Sequence, residues 1–410
     1  MESGILEGTG YRSVARIQSG DAFVMTGGVA RQTNSKTQSV IAVNANGTAN
    51  ITGGRVEGSI RGISVDGATA SLVVGETLQG DQQTQEEADR VYVSGVYGRT
   101  GNEQIMLNSG IVGKMRGTIG SSFVLNCWFE QDISANLPAG MMCTEVDGHW
   151  EVEQLTQENA AAMIGDTYYG SLVKAAEELQ DGEVLWLLKE YEGTQNITVK
   201  VDHAIIDLNG HSITNHAADG YGLEITSDSN LTEAETGVIV RNSSGDVSRI
   251  TADIPLHAHS GNSMKAMPVT LGENIELHSS SGSTSIELGS AAYMEYSERI
   301  DAYITSGGFR STHEDGKQYV HGSFTQAAEN DVDHTAVLLN DHHGSISLSA
   351  ENMDLTLDLD GHTVTSNGSA VIRLQTSDST LTIKNGTMIN TDGTGAEVAI
   401  PAGGAPGGGM

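Results

Sequence analysis

"DLNGHSIT", residues 207–214, and "DLDGHTVT", residues 358–365, carry one chemical pattern at every position. Each reads as a strand ending in an Asn-Gly or Asp-Gly corner, with Leu208 or Leu359 directed inward and His211 or His362 opening the next strand. The match extends on both sides. "GSLVKAAE" at 170–177 answers "GSFTQAAE" at 322–329, offset by 152, and "VLWLLKE" ending at Glu190 answers "TAVLLND" ending at Asp341, offset by 151. After the octapeptides, "VIVRN" at 238–242 answers "LTIKN" at 381–385 at an offset of 143, so the first copy holds extra loop residues. Four blocks in one order define a duplicated module. An acid and a histidine that recur inside a structural repeat read as a corner of the scaffold, because a repeat needs its corners twice and an active site does not.

Each copy has the same local grammar. "SLVKAAEEL" places Leu172, Ala175, Ala176 and Leu179 at helical spacing, which predicts a short amphipathic helix over 171–180. Strands of alternating character follow, such as "ITVKV", "LTLDLDG" and "LTIKN". In the first third, "VMTGGVA", "NITGGRV", "YVSGVYG", "LNSGIVG" and "LNCWFEQ" share an aliphatic residue, a small polar residue and then small and apolar ones, and "YITSGGFRS" at 303–311 joins them. Rungs of this kind bury an apolar edge only by stacking. The expected fold is therefore all-β, a parallel β-helix (solenoid) with a short capping helix and side loops. Its expected parts are rungs ending in a small hairpin over 1–155, a second module over 156–316, a partial third copy over 317–400, and a Gly-rich linker or tail over 401–410. Leu208, Ile213, Leu359 and Val364 are expected inside.

The composition agrees with many short strands and tight turns: 51 Gly, five Pro, five Phe and three Trp in 410 residues. A formal net charge of −32 opposes phosphate backbones and anionic membrane surfaces, so neither nucleic acid nor membrane insertion is expected. No apolar run approaches the ~18 residues of a membrane helix, and the opening "MESGILEGTG" lacks the architecture of a secretion signal, which reads as a cytosolic protein or an excised fragment. The start in mid-repeat and the close on "PAGGAPGGGM" favour the fragment. Cys127 and Cys143 match no zinc spacing and leave open either one bridge around "ISANLPAG" or two free thiols.

The stretch "AAMIGDTYYGSLVKAAEELQDGEVLWLLKEYEGTQNITVKVDHAIIDLNGHSIT", residues 161–214, resembles the module of repetitive secreted surface proteins of Gram-positive gut bacteria, in which an "IGDTYY" lead-in precedes "LDLNGHTIT". "WFEQDISANLPAGMMCTEVDGHWEVEQL", residues 128–155, is similar to the end of such a module, with its "DG.W.V" hairpin. The resemblance covers 127–214 well, the second copy moderately, and 1–120 in rung style only. It implies a right-handed parallel β-helix of pectin-lyase-like shape in an adhesin-like cell-surface protein, and it carries no catalytic residue onto this chain.

Two groups of residues are candidates for ligand contact. "PLHAHSGNSMK" contains His257, His259 and Lys265; histidines at i and i+2 would project from one strand face and suit a metal or a substrate contact, yet no third ligand is visible beside them, which favours an exposed polar loop, and no metal site is assigned. "NDHHGS" contains Asp341, His342 and His343, and its alignment with "KEYEGT" favours a solvated turn. The clustered aspartates with Gly-His-Gly and Arg-x-Lys of polygalacturonases are not seen together, and 21 basic residues among 53 acidic ones suit an anionic polysaccharide poorly. No phosphate-cradling loop, nucleophile elbow or calcium nonapeptide appears, so neither cofactor nor catalytic residue is assigned. The leading expectation is a non-enzymatic, monomeric, secreted or cell-surface module that binds a glycan or host protein through side loops at 216–237 and 243–303. A polysaccharide-degrading enzyme is second and a phage tail spike third.

Overall fold

The computed structural model describes residues 1–34, 39–59, 61–78, 83–117, 119–120, 123–227, 237–260, 266–282, 284–289, 291–348, 353–368, 370–374, 379–391 and 398–399. The protein is all-β, with short helices between strands. It divides into two compact units, one formed by 1–159 with 168–170 and the other by 160–167 with 171–410. Among the described residues no helix is long and apolar enough to cross a membrane.

In the first unit one parallel ladder runs through Ala15–Ile17, Ile41–Asn44, Ile63–Asp66, Val96–Gly98 and Met115–Gly117. A second sheet is centred on the long strands Ala22–Gln32 and Thr48–Gly58, which pair in parallel with register shifts where "TGG" faces "TGG". Gly28 and Gly54 both have φ near +80° (81 and 85), and a Cβ on Gly54 would collide with the Gly28 carbonyl, so the stacked bulge requires glycine in both rungs. Alternate aliphatic residues, among them Ile41, Ile51, Ile63 and Leu72, are fully buried between these sheets. The unit ends in an antiparallel hairpin, Met141–Val146 with His149–Gln154, turned at Asp147-Gly148. Cys127 and Cys143 are free thiols, both buried in this core, where they pack as small apolar side chains rather than as a bridge. Burial pushes both thiols up.

The second unit contains three parallel ladders in which each strand pairs with the third strand after it. Val184–Leu187 pairs with Ala204–Asp207 and that with Val238–Arg241; Tyr191–Gly193 pairs with Ile213–Asn215 and that with Ser248–Ala252; Ile197–Lys200 pairs with Tyr221–Ser227 and that with Ile254–Ser260. The second copy repeats the scheme with Thr335–Leu338, Asp354–Asp358 and Thr380–Lys384 in one ladder, and with Thr363–Ser366 between His342–His343 and Thr387–Asn390 in another. Leu208, Ile213, Leu359 and Val364 are all buried, as their alternation requires. The helix Leu172–Glu178, capped by the Ser171 hydroxyl, buries Leu172, Ala175 and Ala176, and its counterpart Phe324–Asn330 buries Phe324, Ala327 and Ala328 at the equivalent positions.

Parallel pairing does not hold throughout. Phe309–Thr312, expected as a rung, pairs antiparallel with both Gln318–His321 and Thr335–Leu338. The cause is "HEDGK": Gly316 at φ 79° closes a turn with a bond from its N–H to the His313 carbonyl, and the chain reverses. The first copy has the same device, Ala162–Ile164 lying antiparallel to Val184–Leu187. The sheets are therefore mixed.

Candidate functional site

The repeated corner is built identically in both copies. Asn209 and Gly210 take φ 49° and 85°, Asp360 and Gly361 take 46° and 92°, and the N–H of His211 or His362 donates to the carbonyl of Leu208 or Leu359 at 2.8 and 2.7 Å. His211 Nδ1 lies 3.7 Å from Glu190 and His362 Nδ1 lies 3.6 Å from Asp341, each carboxylate coming from the preceding rung. That carboxylate also accepts the backbone N–H of Ser212 (2.6 Å) or Thr363 (2.8 Å). At the start of the corner, Asp207 is fully buried and accepts from Asn209 N, Ser243 N and Arg241 Nε at 3.0, 3.0 and 2.6 Å. Asp358 is held by Asp360 N, Asn385 and Lys384 in the same way. Burial alone pushes Asp358 up, but these donors together bring it below the ordinary carboxylate range. Among the described residues one carboxylate faces each histidine, and both carboxylates are held in hydrogen bonds to backbone, which makes this a framework corner.

A different constellation appears on the outer face of the third ladder. Leu223 and Ile225 point inward, which turns Glu224 and Thr226 outward; Leu256 and Ala258 point inward, which turns His257 and His259 outward. The parallel register sets Glu224 beside His257 and Thr226 beside His259, and on the far side His257 beside Glu287 of the strand Ile286–Leu288. Glu224 Oε1 lies 3.8 Å from His257 Nδ1 and 3.7 Å from His259 Nε2, while Glu224 Oε2 accepts a 2.8 Å hydrogen bond from Thr198 Oγ1. His257 is sandwiched between the Tyr221 ring at 4.2 Å and the His259 ring at 4.9 Å, and its Nδ1 is buried without a hydrogen-bond partner among the described residues. Burial pushes His257 down and His259 adds to this, against the opposing pull of Glu287 and Glu224. Burial, with Glu287 and Glu224 beside it, pushes Tyr221 up.

The structure thus brings His257 and His259 together and supplies the partner, Glu224, that their own strand lacks. Lys265 lies outside the described residues. Of the second candidate group, Asp341 belongs to the framework corner, whereas His342 and His343 line a cavity of about 220 Å³ together with Glu287, Gly307 and Gly308. His342 is half-buried there, and burial followed by the His343 charge pushes it down. Glu287 borders both the His257 cluster and this cavity, so two histidine groups distant in sequence share one acidic neighbour. A further group, unremarked in the sequence, joins His313 and His321 through ring nitrogens 3.0 Å apart, with Tyr293 stacked on His321 at 5.3 Å. Burial, and then His313, push His321 down to about 3.

No family model, curated protein or solved structure matches this chain.

Proposed function

We propose that this chain is a right-handed parallel β-helix module of a secreted or cell-surface protein, and that it is a non-enzymatic scaffold binding a neutral glycan on the outer face around Tyr221, Glu224, His257 and His259. The strand-to-third-strand parallel pairing supports the β-helix reading. The binding reading rests on one observation: the framework is duplicated and this face is not. In the second copy the residues at the register positions of Thr198, Glu224 and His257 are Ser347, Arg373 and Ala399. A position kept in both copies serves the common fold; a polar, aromatic cluster present in one copy serves something else. Stacked rings flanked by carboxylates offer apolar faces to sugar C–H groups and acceptors to sugar hydroxyls. The strong negative charge selects against acidic polysaccharides.

Cleavage of a polysaccharide is the second reading. It is favoured by the placement of Glu224 and Glu287 on strands either side of His257, which separates their Cα atoms by two strand spacings, about 9–10 Å, a span on which two carboxyl groups can flank a glycosidic bond. Glycan-array binding followed by reducing-sugar release on the hits tests both. Binding without release is expected; release of reducing ends establishes the enzyme, and an array without hits contradicts glycan binding.

A further inference from the structure

We propose that Glu224, His257 and His259 form a binding site for one divalent transition-metal ion of the zinc class, whatever molecule the surrounding face binds. The three candidate ligand atoms lie within 4.8 Å of one another. A tetrahedral ion with bonds of ~2.0–2.1 Å sets its ligand atoms about 3.3–3.5 Å apart, so the observed 3.7 and 3.8 Å between Glu224 Oε1 and the two histidines require a contraction of a few tenths of an ångström, while the two imidazole ligand atoms, within 4.8 Å of each other, close by rotation about χ. The donor set selects the ion: two imidazoles and one carboxylate suit zinc, cobalt, nickel or copper, whereas calcium and magnesium prefer all-oxygen cages.

Three further features fit a ligand role. His257 Nδ1 is buried, faces Glu224 Oε1 and has no hydrogen-bond partner among the described residues, and an orphaned polar atom in that position costs stability unless something occupies its lone pair. Glu224 is already oriented: Thr198 Oγ1 takes Oε2, leaving Oε1, the atom nearest both histidines, to face them. Finally, two ligands come from one strand at i and i+2 and the third from its register neighbour, so rigid sheet geometry rather than a loop sets the triangle. Three protein ligands leave a fourth position open to water or to an oxygen of a bound molecule.

The test is calorimetric titration of the metal-free full chain with Zn²⁺, together with the visible absorption of the Co²⁺-loaded chain as a report on coordination. One ion per chain is expected. Glu224→Gln and His259→Ala, the latter at a partly exposed position, should each weaken binding at least about tenfold, the lower end of what loss of an outer-shell partner costs a metal site, and should alter the Co²⁺ bands while circular dichroism stays unchanged. His342→Ala/His343→Ala and His313→Ala serve as controls and should bind as the parent does. Absence of saturable Zn²⁺ binding overturns the proposal, as does binding that survives Glu224→Gln with His259→Ala or that disappears in either control.

Discussion

Among the described residues His211 and His362 each face one carboxylate, Glu190 or Asp341, and each opens its strand from the same left-handed corner. Replacing both by Asn should cost about 1 kcal/mol apiece in lost packing and hydrogen bonding, read as a lower melting temperature, while ligand binding is retained. Loss of binding or turnover in a protein of unchanged stability contradicts the framework role. Asp207 is the more demanding position, since Asp207→Ala strands two backbone N–H groups and the Arg241 guanidinium; a loss of about 2–4 kcal/mol in denaturant unfolding is expected, and a loss under about 1 kcal/mol contradicts it. The corner was legible because its residues are contiguous. Glu224 was not, because it lies 33 residues before His257 and meets it only through strand register. A signal existed: "YGLEITS" at 221–227 and "IPLHAHS" at 254–260 share length and alternation, and laying one over the other sets Glu224 on His257.

The helices Leu172–Glu178 and Phe324–Asn330 follow directly from apolar spacing, and each buries the face that spacing defines. Leu172→Asp and Leu179→Asp, at positions 2% and 3% exposed, should each destabilise by about 3–5 kcal/mol, and an unchanged melt contradicts their role in covering the strands. The antiparallel strands were harder to read. "YITSGGFRS" shares its composition with the parallel rungs, and pairing direction depends on the Asp315-Gly316 reversal downstream rather than on the strand's own residues. That hairpin also carries a pH dependence. His321 is 1% exposed and its folded value of about 3 lies below the ~6.5 of an unfolded histidine, so below pH ~6.5 the unfolded chain binds the extra proton. Stability from this residue is complete above that pH and is lost as pH falls, at up to about 1.4 kcal/mol per unit. His321→Phe should flatten the decline in melting temperature between pH 6.5 and 5; a slope identical to the parent's contradicts the assignment.

A net charge of −32 on 410 residues repels itself, so raising salt from about 0.01 to 0.2 M, which shortens the screening length from about 30 to below 10 Å, should raise the melting temperature. No response or a decline would mean that local ion pairs such as Arg249 with Glu276 outweigh the overall repulsion. At this scale the duplication was visible from four matching blocks, while the difference between the outward faces of the two copies was not, because it depends on which outward positions the register aligns. The most direct measurement compares glycan binding by the parent chain, by His211→Asn/His362→Asn and by Glu224→Gln/His259→Ala on the same array, with melting temperatures recorded alongside. The account predicts binding retained in the first variant despite its lower melting temperature and lost in the second despite an intact fold. Binding lost in the first and retained in the second would contradict it.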